Sequence, residues 1–167
     1  LQQGTGSANN PLYYVSNSPW NLHDLLTDFF EVRNIPMGPL LLRDIGLDWS
    51  HFTSEATESH KHGSILQILN LNADMPFILI GDSGEHDADI YHRIASDHPE
   101  RIQAIYIRDV TKKDKQAQRI GALANDLAES HNIAMLLVDN TFEAAHHAIQ
   151  QGWIQKDAMP EIEAEYQ

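Results

Sequence analysis

Apolar residues fall along this chain in short unbroken runs. Each run ends at polar residues and is followed by a stretch where apolar positions recur every three or four residues. The runs Leu12–Val15, Leu40–Leu42, Phe77–Ile80, Ile102–Ile107 and Ile133–Val138 predict five strands. Leu22, Leu25, Leu26, Phe29 and Phe30 lie at helical spacing, as do Ile65, Ile68 and Leu69. The same holds for Ile90, Tyr91 and Ile94, for Ile120, Leu123, Ala124 and Leu127, and for Phe142, Ala145 and Ile149. Strands that are apolar throughout, alternating with helices, predict an α/β fold: a parallel, Rossmann-like three-layer sheet with helices on both faces.

The stretch Tyr14-Val15-Ser16-Asn17-Ser18-Pro19-Trp20-Asn21-Leu22 organises this pattern. Ser18 suits a helix N-cap, and Pro19 suits the first helical position, where a missing N–H costs nothing. Ser16 and Asn17 are therefore expected at the carboxyl end of a strand, in the turn before a helix. In open α/β sheets ligands bind along that edge, and a helix N-terminus there favours anions. Pro36-Met37-Gly38-Pro39 marks a turn, and Gly46 to Ser59 reads as a long loop. Leu1 to Asn10 is rich in Gly, Ser, Asn and Gln and reads as a loop, while Lys156 to Gln167 reads as an acidic, peripheral end. No internal repeat or linker divides the chain.

The length of 167 residues allows one domain with a real core. There is no cysteine, which excludes disulfides and thiolate chemistry. No apolar run reaches membrane-spanning length and no signal peptide is visible, so a cytoplasmic location is expected. A net charge of −13 argues against nucleic acid as a partner and against unaided docking on anionic lipid. The ten histidines are scattered.

The strongest candidate for chemistry is Gly81-Asp82-Ser83-Gly84-Glu85-His86-Asp87. Asp82 at a strand end and Asp87 at a helix start offer two carboxylates to one hard cation, and Mg²⁺ suits such oxygens together with retained waters. The competing reading is a βα turn in which both acids only cap the helix. Lys61, expected at a helix start, would oppose the helix dipole unless it faced an anion; the plain alternative is a solvated lysine. His60 and His62 form a His-x-His that reads as surface residues, and His146-His147 reads as structural. Arg43 and Arg108 could clamp an anion, but pairing with Asp44 and Asp109 is the simpler expectation. Gly81-Asp82-Ser83-Gly84 also has the wording around a serine-protease nucleophile, yet its strand–turn–helix setting excludes that reading.

Ser16 at a strand end, Lys61 before a helix, and Gly81-Asp82 with Asp87 resemble the second, third and fourth motifs of the haloacid dehalogenase-like (HAD-like) phosphohydrolases. The longer wording is closer to one branch. Tyr14 to Leu22, then Gly38-Pro39-Leu40-Leu41-Leu42-Arg43-Asp44, His60-Lys61, Ile80-Gly81-Asp82-Ser83-Gly84-Glu85 and Ile105-Tyr106-Ile107-Arg108-Asp109 resemble the catalytic domain of the actin-patch-type phosphatidate phosphatases. The resemblance runs from about Leu12 to Ile154 and divides the chain into 1–11 (a loop start), 12–154 (the catalytic domain) and 155–167 (an acidic tail).

What the resemblance implies is a Mg²⁺-dependent phosphomonoesterase acting through an aspartyl-phosphate, with phosphatidate or another phosphomonoester as substrate. In that scheme Ser16 and the Asn17 N–H bind the transferring phosphoryl group, and Lys61 neutralises charge between nucleophile and phosphoryl oxygens. Asp82 holds the metal, with Asp87 in support. The family's first motif, Asp-x-Asp-x-Thr or Ser, has no counterpart: Leu1 to Pro11 contains no acid, and Asp87-Ala88-Asp89 follows no strand. The expectation is a sheet without its first, central strand, with the nucleophile on an upstream segment or a partner chain and the chain alone inactive. Two alternatives stand beside it: a non-catalytic module that binds phosphate or a partner, and a phosphatase for a soluble phosphomonoester.

Overall fold

The computed structural model describes residues 10–44 and 54–164. It is an α/β structure with parallel strands in two sheets and helices around them, consistent with a Rossmann-like three-layer fold. The residues group into two compact units, one spanning Pro11–Asp74 and one that continues from Met75.

In the first unit, β1 (Tyr14–Pro19) pairs in parallel with β2 (Leu40–Arg43). The register runs Tyr14↔Leu40, Val15↔Leu41 and then Pro19↔Arg43, so four steps along β1 oppose two along β2. Ser16, Asn17 and Ser18 therefore bulge from the ladder, a distortion common beside functional sites. The strand also runs through the residues whose sequence predicts a helix cap. Ser16 Oγ accepts the Ser18 N–H at 3.1 Å and donates to Ser18 Oγ at 3.0 Å. The two hydroxyls satisfy one another, and neither caps a helix. Pro19 is extended, with φ −67° and ψ 150°, a φ that proline allows equally in a strand and in a first helical turn. A 3-10 turn, Trp20–Leu22, then leads into α1 (His23–Val32).

The apolar spacing of α1 is as expected, but the helix buries no residue completely. Phe30 packs on Tyr14 with ring centroids 4.6 Å apart, whereas Leu25, Phe29 and Val32 are exposed. α2 spans Ser54–Leu71, so the segment read as loop is helical from Ser54 to Ser59; residues 46–53 lie outside the described residues. Ile65, Ile68 and Leu69 are buried as their spacing predicts.

In the second unit the order is β3 (Phe77–Asp82), β4 (Ile102–Arg108) and β5 (Ala134–Val138), all parallel. α3 (Asp87–Asp97), α4 (Asp114–His131) and α5 (Thr141–Gln150) connect and follow them. β4 is the central strand, and Ala104, Ile105, Tyr106 and Ile107 are all buried, so both its faces are covered. α4 ends at Asn132 in the left-handed conformation, where asparagine is a common substitute for glycine. The last described residues are more than an acidic end: Met159 and Ile162 of α6 (Met159–Ala164) pack against Ala145, Ala148 and Ile154.

His147 has the structural role its position suggests. Its Nδ1 lies 2.8 Å from the Tyr106 hydroxyl, and its ring meets Tyr106 and Trp153 edge-on. Burial pushes the Tyr106 hydroxyl up to about 12, so Tyr106 is the lasting proton donor. Burial also lowers the His147 imidazole below its usual value. A histidine held neutral when folded binds a proton more readily when unfolded, so stability falls as pH drops below the ordinary histidine range. Urea unfolding from pH 7 to 5 is expected to show this loss, and His147→Asn, which retains a polar group near the Nδ1 position, is expected to reduce it.

Candidate functional site

The residues singled out by sequence fall into two groups, one in each unit. Ser16, Asn17 and Lys61 belong to Pro11–Asp74, and Asp82 and Asp87 to the unit from Met75.

In the first group, helix α2 packs against β1. Lys61 is the eighth residue of α2, not its start, so the helix dipole does not explain it. It is buried at 6% exposure, which overturns the solvated alternative; Arg43, at the end of β2, is also 6% exposed. His60 and His62 are not surface residues either, since the Nε2 atom of each is buried. His60 is hydrogen-bonded to the Ser16 backbone and feels the charges of both Arg43 and Lys61. Burial is the main force holding its pKa below the ordinary histidine value, with the two cations adding to it. Ser16, Arg43, His60 and Lys61 thus form one corner around the bulge in β1. Buried cations beside backbone groups freed by a bulge suit an anion.

In the second group, β3 delivers Asp82 at its end and α3 begins with Asp87. Asp87 is 4% exposed and does not cap its helix: its Oδ2 accepts the Asp82 N–H at 3.2 Å. His86 is the cap residue, without a side-chain bond. Asp82 Oδ1 accepts the Gly84 N–H at 2.7 Å. The capping alternative therefore fails for both acids, which are instead tied to the turn between them. Gly81 makes the approach possible, because a Cβ there would lie 2.5 Å from Asp87 Oδ2 and 2.8 Å from the Tyr91 ring. The Tyr91 hydroxyl donates to the Ile80 carbonyl at 3.0 Å. Its pKa is driven far up by burial, reinforced by the negative charges of Asp87, Asp82 and Glu85, so it stays protonated.

Two hard oxygen donors, Asp82 and Asp87, suit Mg²⁺ with several waters retained. Among the described residues no group of three or more His, Asp or Glu side chains gathers as a metal site. The pair thus offers at most part of a coordination shell.

Sequence reasoning missed the knot under this turn. Ser83, 2% exposed, accepts the Val110 and Thr111 N–H groups on Oγ at 3.0 and 3.2 Å and donates to Asp109 Oδ1 at 3.0 Å. Its N–H bonds the Arg108 carbonyl, and its carbonyl accepts Gln116 Nε2 at 3.0 Å. With its hydroxyl engaged this way, Ser83 has no nucleophilic role. Asp109 is held by Ser83 and by the Thr111 and Lys112 N–H groups, not by Arg108, whose side chain is exposed. These bonds hold the Asp109 carboxyl below the usual range, with the Lys112 N–H contributing most. A serine one residue past a strand-end Asp was the available signal.

Gly81→Ala is expected to force Asp87 or Tyr91 aside and to lower the unfolding midpoint measurably. Ser83→Ala removes the acceptor of the Val110 N–H and one donor to Asp109, and is expected to cost about 1–3 kcal/mol in urea denaturation.

Comparison with known proteins gives the same direction. The description "Phosphatidate phosphatase APP1, catalytic domain" matches residues 1–109. An uncharacterised protein of Schizosaccharomyces pombe, C29B5.04c, is 38% identical over 109 residues, covering 61% of this chain and 17% of that protein. Phosphatidate phosphatase APP1 of Saccharomyces cerevisiae is 40% identical over 99 residues, covering 58% of this chain and 16% of that protein. The chain therefore spans less than a fifth of the length of these curated relatives. No solved structure matches. Ser16, Asn17, Lys61, Asp82 and Asp87 all fall inside the matched residues, and the chain belongs to the family of the phosphatidate phosphatase APP1 catalytic domain.

Proposed function

We propose that the protein to which this chain belongs is a Mg²⁺-dependent phosphomonoester hydrolase acting on phosphatidate. The observation that carries this reading is the match of residues 1–109 to the phosphatidate phosphatase APP1 catalytic domain. The two groups of buried polar residues described above support it. Phosphoryl transfer is mostly positioning and charge stabilisation, and cations with hydroxyl or amide donors around phosphoryl oxygens supply both.

In this reading Ser16 and the Asn17 N–H hold the phosphoryl oxygens and Lys61 neutralises their charge. Ser16 must then exchange its bond to Ser18 for one to substrate, which the bulged backbone allows. Asp82 would hold Mg²⁺ and Asp87 would support it, by fixing the Asp82 main chain and lending a second carboxylate. The metal supplies Lewis-acid neutralisation of the phosphoryl charge. The nucleophile is an aspartate on an Asp-x-Asp-x-Thr or Ser segment upstream of Leu1 or on a partner chain, and it forms an aspartyl-phosphate that water hydrolyses. β1 and β3 each stand at the end of their sheet, so each offers a backbone edge to a further strand.

A second reading, a soluble phosphomonoester as substrate, is favoured by the net charge of −13, which opposes unaided docking on an anionic lipid surface. Among the described residues no helix is long and apolar enough to cross a membrane.

Phosphate release by the full-length protein decides between them. With phosphatidate in mixed micelles, release is expected to require Mg²⁺ and to stop with EDTA. Lys61→Ala and Asp82→Asn are each expected to lower kcat by about 100-fold or more. Full activity in the double variant overturns the assignment. Turnover of soluble monoesters alone transfers it to the second reading.

A further inference from the structure

His60, in the Ser16 corner, has a ring nitrogen whose bonding leaves a valence over. A bond that favours the protonated ring is donated by it, so His60 gives its proton to the Ser16 carbonyl. Its Nε2 is buried and finds no hydrogen-bond partner among the described residues. The donor is therefore Nδ1–H, and the neutral ring presents a lone pair on Nε2 within a buried, cationic corner. A buried polar atom without a partner carries a desolvation cost that a ligand can relieve.

The surroundings define that ligand's charge. Arg43 from β2 and Lys61 from α2 itself act on the ring, and β1 contributes the Ser16 main chain. Both cations are 6% exposed, so solvent screens them little. In the free protein they disfavour a third positive charge. A tetrahedral dianion seated among them reverses that balance and makes an imidazolium at His60 favourable.

We propose that His60 Nε2 is a direct contact for a tetrahedral dianion at the Ser16 corner, and that one proton from solvent binds Nε2 with each dianion. The ring then donates from both nitrogens, to the Ser16 carbonyl and to a dianion oxygen. This deepens the phosphomonoesterase reading and rests on it for the identity of the dianion as a phosphoryl group. It adds a residue outside the set that the family resemblance assigns. It also selects chemistry, since a monoester dianion carries the second charge that a diester lacks.

The sign of the pH dependence follows. Binding takes up a proton between the His60 pKa of the free protein and the higher value of the complex, so affinity weakens as pH rises through that window. Sulfate is the probe, because it is a tetrahedral dianion whose own charge does not change there. Calorimetric titration of the full-length protein is expected to show sulfate binding about tenfold weaker at pH 8 than at pH 6, with about one proton taken up per sulfate. His60→Asn places an amide where Nδ1 stood, which retains the bond to Ser16 and removes Nε2. It is expected to keep the wild-type thermal midpoint, to lose the pH dependence, and to bind at pH 6 no better than wild type does at pH 8.

The same affinity and pH dependence in both proteins overturns the proposal, as does a wild-type protein that binds no sulfate. Should His60→Asn not fold, nitrogen NMR of the wild-type ring at pH 7 gives the answer: Nε2 must pass from unprotonated to protonated as sulfate is added, and an unmoved resonance is a refutation. Failure of the functional reading looks different. Proton-linked sulfate binding without phosphate release would leave His60 in place and remove the hydrolase. Phosphate release with pH-independent sulfate binding would do the reverse.

Discussion

The hydroxyl of Ser83 ties together the ends of β3 and β4. One buried oxygen accepts two backbone N–H groups from the turn after β4 and donates to Asp109, while the Ser83 main chain bonds Arg108 and Gln116. A single side chain here satisfies several main-chain and side-chain groups of the turn at once. The position of Asp82 depends on this tie, because it is the preceding residue in the same turn. Asp87 closes the other side by reaching back to the Asp82 N–H across a glycine that leaves no room for a Cβ. Two acids five residues apart in the chain are thus held by main-chain bonds on both flanks.

The other group is organised by a different constraint. In β1 the ladder is interrupted where four steps oppose two, and the polar Ser16-Asn17-Ser18 segment occupies the interruption. α2 packs on that strand and carries His60 and Lys61, while β2 ends in Arg43. Burial, more than the helix dipole, makes these cations effective: at 6% exposure their fields are weakly screened, and they add to the burial that chiefly holds His60 below the ordinary histidine value. A corner of this kind favours an anion whether or not chemistry follows.

The two units differ in how completely they bury their elements. β4 is covered on both faces, with Ile105 and Ile107 wholly inaccessible, whereas α1 leaves Leu25, Phe29 and Val32 exposed and buries no residue fully. A helix with apolar spacing but no complete burial draws its stability from one flank, here the Phe30–Tyr14 contact and its neighbours.

Periodicity in the sequence determined the five strands, their parallel direction and most helix positions, because burial on both faces leaves continuous apolar runs and amphipathic helices leave a three-to-four spacing. The ordered motifs from Tyr14 to Asp109 determined the family, since short-range wording survives in a chain without any knowledge of its folding. Tertiary structure decided the rest. Ser18 and Pro19 carry the local signature of a helix cap, yet extended pairing of Pro19 with Arg43 won over it. Lys61 and His60 look like solvated residues of a polar stretch, and it is with α2 packed on β1 that Lys61 and the Nε2 atom of His60 are buried. Asp87 could have capped α3 as its position suggests, but the close approach over Gly81 gave it a main-chain partner in β3 instead. Local propensities are worth about 1 kcal/mol each, and a long-range contact that satisfies a buried polar group or removes it from water outweighs them.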